Sequence, residues 1–176
     1  MKTIDAIINR KSVRTYTGEM ISDNDLNQIL ITAYASPVSM GKYDSLSLTV
    51  ITSQDWLQRL DQNAQQIFNV SQSMLYGAPL FIIASTKLQG TPADNAAYSN
   101  AATIIENMNI EAVALGIGAC HIWGVITALN QNKTLMKEMK LPEGQIPVAG
   151  LVLGKTNEKY EQRHIPMDRI KTQTLD

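Results

Sequence analysis

Cysteine and histidine are the scarcest chemistry-bearing residues in this chain. A single thiol, Cys120, stands in 176 residues. It has no partner for an internal disulfide or a CxxC site, so a reducing compartment is the expected home. Histidine occurs twice, as His121 and His164, in unrelated segments. No HxH, HExxH or Cys/His cluster can be built from these residues, which argues against a zinc site. The nucleophile-elbow pattern GxSxG is absent, which removes the strongest hydrolase signal. The full GxGxxG fingerprint is missing too. Gly116 and Gly118 make only a GxG, placed after a helical pattern instead of between strand and helix. Charge of one sign is not in excess, with 15 Lys+Arg against 16 Asp+Glu and a formal net charge of -1. That balance gives no support to a general nucleic-acid binder or an electrostatic membrane attachment. No apolar run approaches the roughly 18 residues of a membrane span. The N-terminal MKTIDAIINRK has no signal-peptide core, so a cytoplasmic protein is expected. If the chain is an enzyme, a bound cofactor has to supply the reactive atom.

What is present reads as one domain over residues 1–176, a length able to bury roughly two-thirds of its unfolded surface. Ile4, Ile7 and Ile8 give a short helix over 4–10, with Thr3 as its cap. Ser22 caps a second helix with a stripe of Leu26, Ile29, Leu30 and Ala33, stopped by Pro37. Residues 36–46 read as a loop, 47–52 as a strand, and 54–74 as a helix with Trp56, Leu57, Leu60 and Ile67 on its apolar side. The run at 79–85 reads as a strand covered on both faces. Residues 95–115 form a central helix, apolar around much of its circumference. The stretch 119–126 reads as a strand or turn lining the core, 130–140 as a surface helix, and 148–154 as a buried strand. In this reading Cys120 is a small buried hydrophobe and His121 a satisfied core histidine. The pattern describes a three-layer α+β domain with helices on both sides of a central sheet. The polar tail after residue 155 has few apolar anchors and is expected to reach across to a second subunit.

The most informative segment is Arg10-Lys11-Ser12-Val13-Arg14. If it runs extended, side chains alternate, and Arg10, Ser12 and Arg14 share one face. Two guanidiniums and a hydroxyl form a receptor for a phosphate dianion, because the guanidinium fork gives bidentate, charge-assisted hydrogen bonds. Taken alone, the segment reads first as a solvated basic turn, because surface charge runs are common.

Four blocks of sequence change that balance. Arg10-Lys11-Ser12-Val13-Arg14 resembles the RRSxR phosphate signature of the FMN-dependent nitroreductase family. Ser36-Pro37-Val38-Ser39-Met40 resembles its second flavin-contacting loop. Leu115-Gly116-Ile117-Gly118-Ala119-Cys120, followed by His121-Ile122-Trp123-Gly124, resembles its LGLGxCxxxG segment. Leu141-Pro142-Glu143-Gly144, with Pro147-Val148 and Leu153-Gly154, resembles its closing strand. The blocks stand in the family's order and spacing and cover about residues 4 to 166.

The resemblance implies a three-layer fold with a mostly antiparallel sheet, assembled as an intertwined homodimer with exchanged C-terminal tails. It implies an FMN-dependent oxidoreductase that carries hydride from NAD(P)H to an electron-poor acceptor such as a nitroaromatic or quinone, in ping-pong order, with no catalytic side chain. Arg10, Ser12 and Arg14 would hold the phosphate end, with Lys11 helping. Pro37, Val38 and Ser39 would approach the flavin from the partner subunit. The backbone of Trp123 and Gly124 would meet the ring edge. A tail cation would join the phosphate, with Arg163 preferred over His164 and Lys155. The chain departs from the family where Gly41, Tyr43, Asp44 and Ser45 replace an asparagine and a glutamine-proline-tryptophan run, so Tyr43 either covers the pocket or packs. Two alternatives stand beside this reading: an FMN storage or flavin-handling protein without turnover, and a dimeric binder of another phosphorylated ligand.

Overall fold

The computed structural model describes residues 1–175. Six helices and four strands follow in the order α1 (Thr3–Asn9), α2 (Asp23–Tyr34), β1 (Leu46–Ile51), α3 (Gln54–Phe68), β2 (Leu80–Lys87), α4 (Asp94–Ala114), β3 (Gly118–His121), α5 (Gly124–Gln131), α6 (Lys133–Glu138) and β4 (Gln145–Gly154). The strands form one sheet in the order β1-β2-β4-β3, with every pairing antiparallel. This is the three-layer arrangement that the pattern of runs requires.

Period-two alternation in β2 builds both cores at once. Leu80, Ile82 and Ala84 face a cluster completed by Ile29 and Ala33 of α2 and by Ala101, Ile104, Ile105 and Met108 of α4. Phe81 and Ile83 face the other side, against Leu57, Leu60 and Ala64 of α3 and Val125, Ile126 and Leu129 of α5. On β4, Leu151 and Leu153 serve the first cluster and Val152 the second. Gly150 lies where the Phe81 ring crosses β4: a Cβ there would meet Phe81 Cε2 at 2.5 Å.

The local signals hold unevenly. Ser22 caps α2, its hydroxyl accepting from Asp25 N at 3.1 Å. Thr3, by contrast, is the first helical residue of α1, and Lys2 precedes it without a side-chain cap. Helix α3 stops at Phe68, short of residue 74, because Asn69 turns left-handed at φ 51. Its stripe is Leu57, Leu60 and Ala64, and Ile67 is exposed. The largest departure is at 119–126. The strand ends at His121 and α5 begins at Gly124. Val125, Ile126, Ala128 and Leu129 are buried at helical spacing. The surface helix expected over 130–140 is the short α6, capped by Asn132, whose Oδ1 accepts from Thr134 N and Leu135 N.

The tail after Gly154 is held by polar contacts. As far as Arg163 it docks on its own chain. Thr156 Oγ1 donates to Thr15 O at 2.7 Å and Tyr160 Oη to Ile117 O at 2.7 Å. Backbone and side-chain hydrogen bonds therefore anchor a polar segment that lacks apolar weight. Beyond it, Met167 and Ile170 are exposed. Among the described residues, no helix is long and apolar enough to cross a membrane.

Candidate functional site

Helix α1 ends at Arg10, whose backbone is already non-helical. The following residues run beside β3, where Val13 N donates to Ala119 O at 2.9 Å. Val13 is fully buried, so its neighbours Ser12 and Arg14 point the other way. Burial pushes the Cys120 thiol up, and the groups that oppose the shift are the Arg14 charge, the Ser12 hydroxyl and the Arg10 charge. Ser12 and Arg14 share the face opposite Val13, with Arg14 toward Tyr76, while Arg10 reaches Glu106. Lys11 leaves that face, its Nζ 2.9 Å from Glu158 Oε2.

Each cation has distinct surroundings. Arg10 Nε lies 3.6 Å from Glu106 Oε1 on α4. Glu106 Oε2 also takes Asn109 Nδ2 at 2.9 Å and meets His121 Nε2 at 2.8 Å. His121 is thus half-buried and tied to a carboxylate instead of sitting in apolar core. Arg14 is exposed, with its guanidinium carbon 5.7 Å from the centroid of the Tyr76 ring. Its pKa is held above the ordinary value chiefly by Tyr76, with the Cys120 thiol adding to it. Arg163 donates through Nε to Ile8 O at 2.7 Å. Its pKa is pushed down by burial and by the charges of Arg10 and Arg169. Arg10 and Arg163 border a groove of about 870 Å³ between α1, α4 and the C-terminal segment, and Arg14 lies outside it. Lys155 is turned elsewhere, 2.9 Å from Glu19 Oε2, and His164 lines the same groove as Arg163.

The start of α5 supplies donors. The first N–H groups of a helix have no carbonyl one turn behind them, and the dipole adds positive character there. Among the described residues, no backbone carbonyl outside α5 accepts from Trp123 N or Gly124 N, whereas Ile122 N is spent on Gly150 O at 2.9 Å. The Trp123 side chain is 59% exposed. Gly124 is crowded on its other side: a Cβ would come within 2.5 Å of Met74 Cε and 3.5 Å of Phe68 Cε2.

The Pro37-Val38-Ser39 loop stands apart from these groups within one chain. Val38 is buried in the core beneath α4, while Pro37 and Ser39 are exposed. Asn100 Oδ1 accepts from Ser39 N at 3.0 Å, and Asn107 Nδ2 donates to Ser36 Oγ at 2.7 Å. Tyr43 folds onto its own loop, donating to Ser36 O at 3.1 Å. Glu106 and Tyr76 were not legible as site residues. Glu106 is one of three acids on α4, with Asp94 and Glu111, and nothing in the sequence singles it out.

Residues 7–155 match the Nitroreductase family. An FMN reductase (NADPH) of Bacillus subtilis is 23% identical over 164 residues, which cover 86% of this chain and 65% of that protein. A putative NADH dehydrogenase/NAD(P)H nitroreductase of Archaeoglobus fulgidus is 28% identical over 152 residues, 84% of this chain and 82% of that protein. A crystal structure of a nitroreductase with bound FMN from Bacteroides fragilis superposes with a TM-score of 0.83 at 23% identity, covering 99% of this chain and all of that one. The chain thus spans just under two-thirds of the length of the Bacillus relative.

Proposed function

Because the chain belongs to the nitroreductase family, we propose that it binds FMN and acts as an NAD(P)H-dependent oxidoreductase. The observation that carries this reading is the basic segment laid beside β3 with Val13 buried, which leaves Ser12 and Arg14 on the other face, together with the unpaired N–H groups of Trp123 and Gly124 at the head of α5. One group of residues suits a phosphate dianion and the other a ring edge that accepts hydrogen bonds. The names of the Bacillus and Archaeoglobus relatives, an FMN reductase and a putative NAD(P)H nitroreductase, point the same way.

When bound, FMN supplies hydride acceptance from NAD(P)H and delivery to an electron-poor acceptor such as a nitroaromatic or quinone. The chain's own residues bind and orient. Arg10 and Arg14 offer charge-assisted donors and Ser12 a hydroxyl. Lys11 adds positive charge from the neighbouring position, although Glu158 engages it. Arg163 brings a further guanidinium close to Arg10. The N–H groups of Trp123 and Gly124 present fixed dipoles that need no reorganisation during reaction. No side chain is assigned as acid or base.

The proposed assembly is a homodimer. Ile4 and Ile7 of α1 and Met167 of the tail are exposed beside the groove, and Ile170 is exposed further along the tail. A second copy would cover this apolar surface and bring the Pro37-Val38-Ser39 loop to the site, with residues beyond Arg163 free to exchange.

The test is spectroscopic. Purified protein loaded with FMN should retain flavin absorption through gel filtration, lose it on adding NADH or NADPH, and recover it with menadione or a nitrofuran. Retention without bleaching would favour flavin storage. Failure to retain FMN would defeat the reading.

A further inference from the structure

We propose that Asp61 is a positioning residue for the flavin, holding the segment Met74-Leu75-Tyr76 so that it serves both ends of the site at once. The inference rests on the FMN reading above. Asp61 lies on the half-buried side of α3. Its Oδ1 accepts from Met74 N at 2.7 Å and from Leu75 N at 3.0 Å, and its Oδ2 accepts from Gln65 Nε2 at 3.1 Å. One carboxylate thus organises a stretch that has no helix or strand of its own between Phe68 and Leu80. Hydrogen bonds to an ionised acceptor are the strong ones.

The segment needs such an anchor. Tyr76 sits at φ 58 and Gly77 at φ 72. A left-handed tyrosine is costly and persists only where its surroundings over-determine it. Leu75, between the two functional neighbours, is buried in the core. Residues 74 and 76 then diverge to separate tasks. The Met74 methyl occupies the space beside Gly124 where a side chain would otherwise project. Tyr76 lies against the Arg14 guanidinium, a cation–aromatic contact that limits where the guanidinium can go. Gly124 belongs to the proposed ring edge and Arg14 to the proposed phosphate end. Asp61 touches neither, yet both depend on the segment it holds. Preorganising the two ends lowers the ordering cost of binding.

The test compares FMN with riboflavin, which has the ring and lacks the phosphate, by fluorescence titration of the parent, Asp61→Ala, Asp61→Asn and Arg14→Ala. Asp61→Ala should weaken both flavins about tenfold, the loss expected for a hydrogen bond to a charged group. Asp61→Asn, which keeps the Oδ1 acceptor, should restore most of the affinity. Arg14→Ala should weaken FMN alone. In the flavin-free protein, the Met74 and Leu75 amides should exchange with solvent faster in Asp61→Ala than in the parent. Should Asp61→Ala not fold, two variants at the far end of the segment carry the test. Met74→Ala should weaken both flavins, and Tyr76→Ala should weaken FMN more than riboflavin. Parental affinity for both flavins in a folded Asp61→Ala, or in Met74→Ala and Tyr76→Ala together, would overturn the inference while leaving FMN binding intact. A parent protein that binds neither flavin would overturn the FMN reading and this inference with it.

Discussion

Glu106 Oε1 stands 3.6 Å from Arg10 Nε, so the first arginine of the proposed phosphate site already has an anionic partner inside the chain. A bound phosphate has to share that guanidinium with the carboxylate. Glu106→Gln removes the competing charge and keeps an oxygen that can accept from Arg10. FMN should bind about fivefold more tightly to this variant, matching the ~1 kcal/mol of a partly exposed ion pair. The gain should shrink in high salt. Titration of both proteins at low and high ionic strength measures it, and unchanged affinity at low salt would place the phosphate away from Arg10.

The same carboxyl gives a pH signature. Burial pushes Glu106 up, but the hydrogen bonds from His121 and Asn109 and the charges of His121 and Arg10 outweigh it, and the net shift is downward. A folded-state value below the unfolded one contributes stability at pH above the ordinary carboxylate range, near 4.3 for glutamate. That contribution is lost as pH falls through the folded value. The parent should therefore melt above Glu106→Gln at neutral pH, by less than about 1 kcal/mol because the pair is partly exposed. The two melting curves should converge in acid.

Arg10→Ala should cost FMN binding about 1.5–3 kcal/mol through loss of a charge-assisted contact. Riboflavin affinity should barely change. Calorimetric titration of both ligands separates the outcomes, and an equal loss for the two would assign Arg10 to the ring instead of the phosphate.

Tyr160 fastens the tail to the sheet through its 2.7 Å hydrogen bond to Ile117 O. Burial pushes its phenol up to about 12. The charged form is disfavoured in the fold, so stability should be full below the ordinary phenol value and fall as pH rises from there through about 12. Tyr160→Phe should cost about 0.5–1.5 kcal/mol at neutral pH from the lost hydrogen bond. It should also soften the alkaline decline. Denaturant melts at neutral and alkaline pH test both effects.

Gly150 admits the Phe81 ring between β2 and β4. An added Cβ would meet Phe81 at 2.5 and 2.7 Å and Ile126 Cδ1 at 3.2 Å. Aromatic ring atoms packed in a core cannot move aside as a flexible chain end can. Gly150→Ala should therefore destabilise the fold by about 1–3 kcal/mol, read as a lower denaturation midpoint. A neutral result would show that the ring has room to tilt.

Much of the architecture was legible because it follows from local periodicity. The run 79–85 declares a strand buried on both faces, and β2 does feed two cores. Ser22 announces the start of α2. The stretch after Cys120 failed for a physical reason. Ile-Trp-Gly-Val-Ile after His121 carries no polar side chain that shows a period, and a short apolar run does not distinguish strand from helix. The fold decides it: Ile122 N spends its bond on Gly150 O, and the chain then leaves the sheet to begin α5. Likewise Ile67 looks apolar and helical, but its side chain is exposed.

Alternation in an extended segment predicts Arg10, Ser12 and Arg14 on one face, and the burial of Val13 fits that spacing. What those residues meet was decided only in three dimensions. Glu106 lies almost a hundred residues away in sequence and reaches Arg10 because α4 packs against α1. Asp61 reaches Met74 because α3 turns back beside its own exit loop. Periodicity encodes which way a side chain points, since that depends on the backbone of its own element. The partner it meets depends on how whole elements pack, and no local pattern records that.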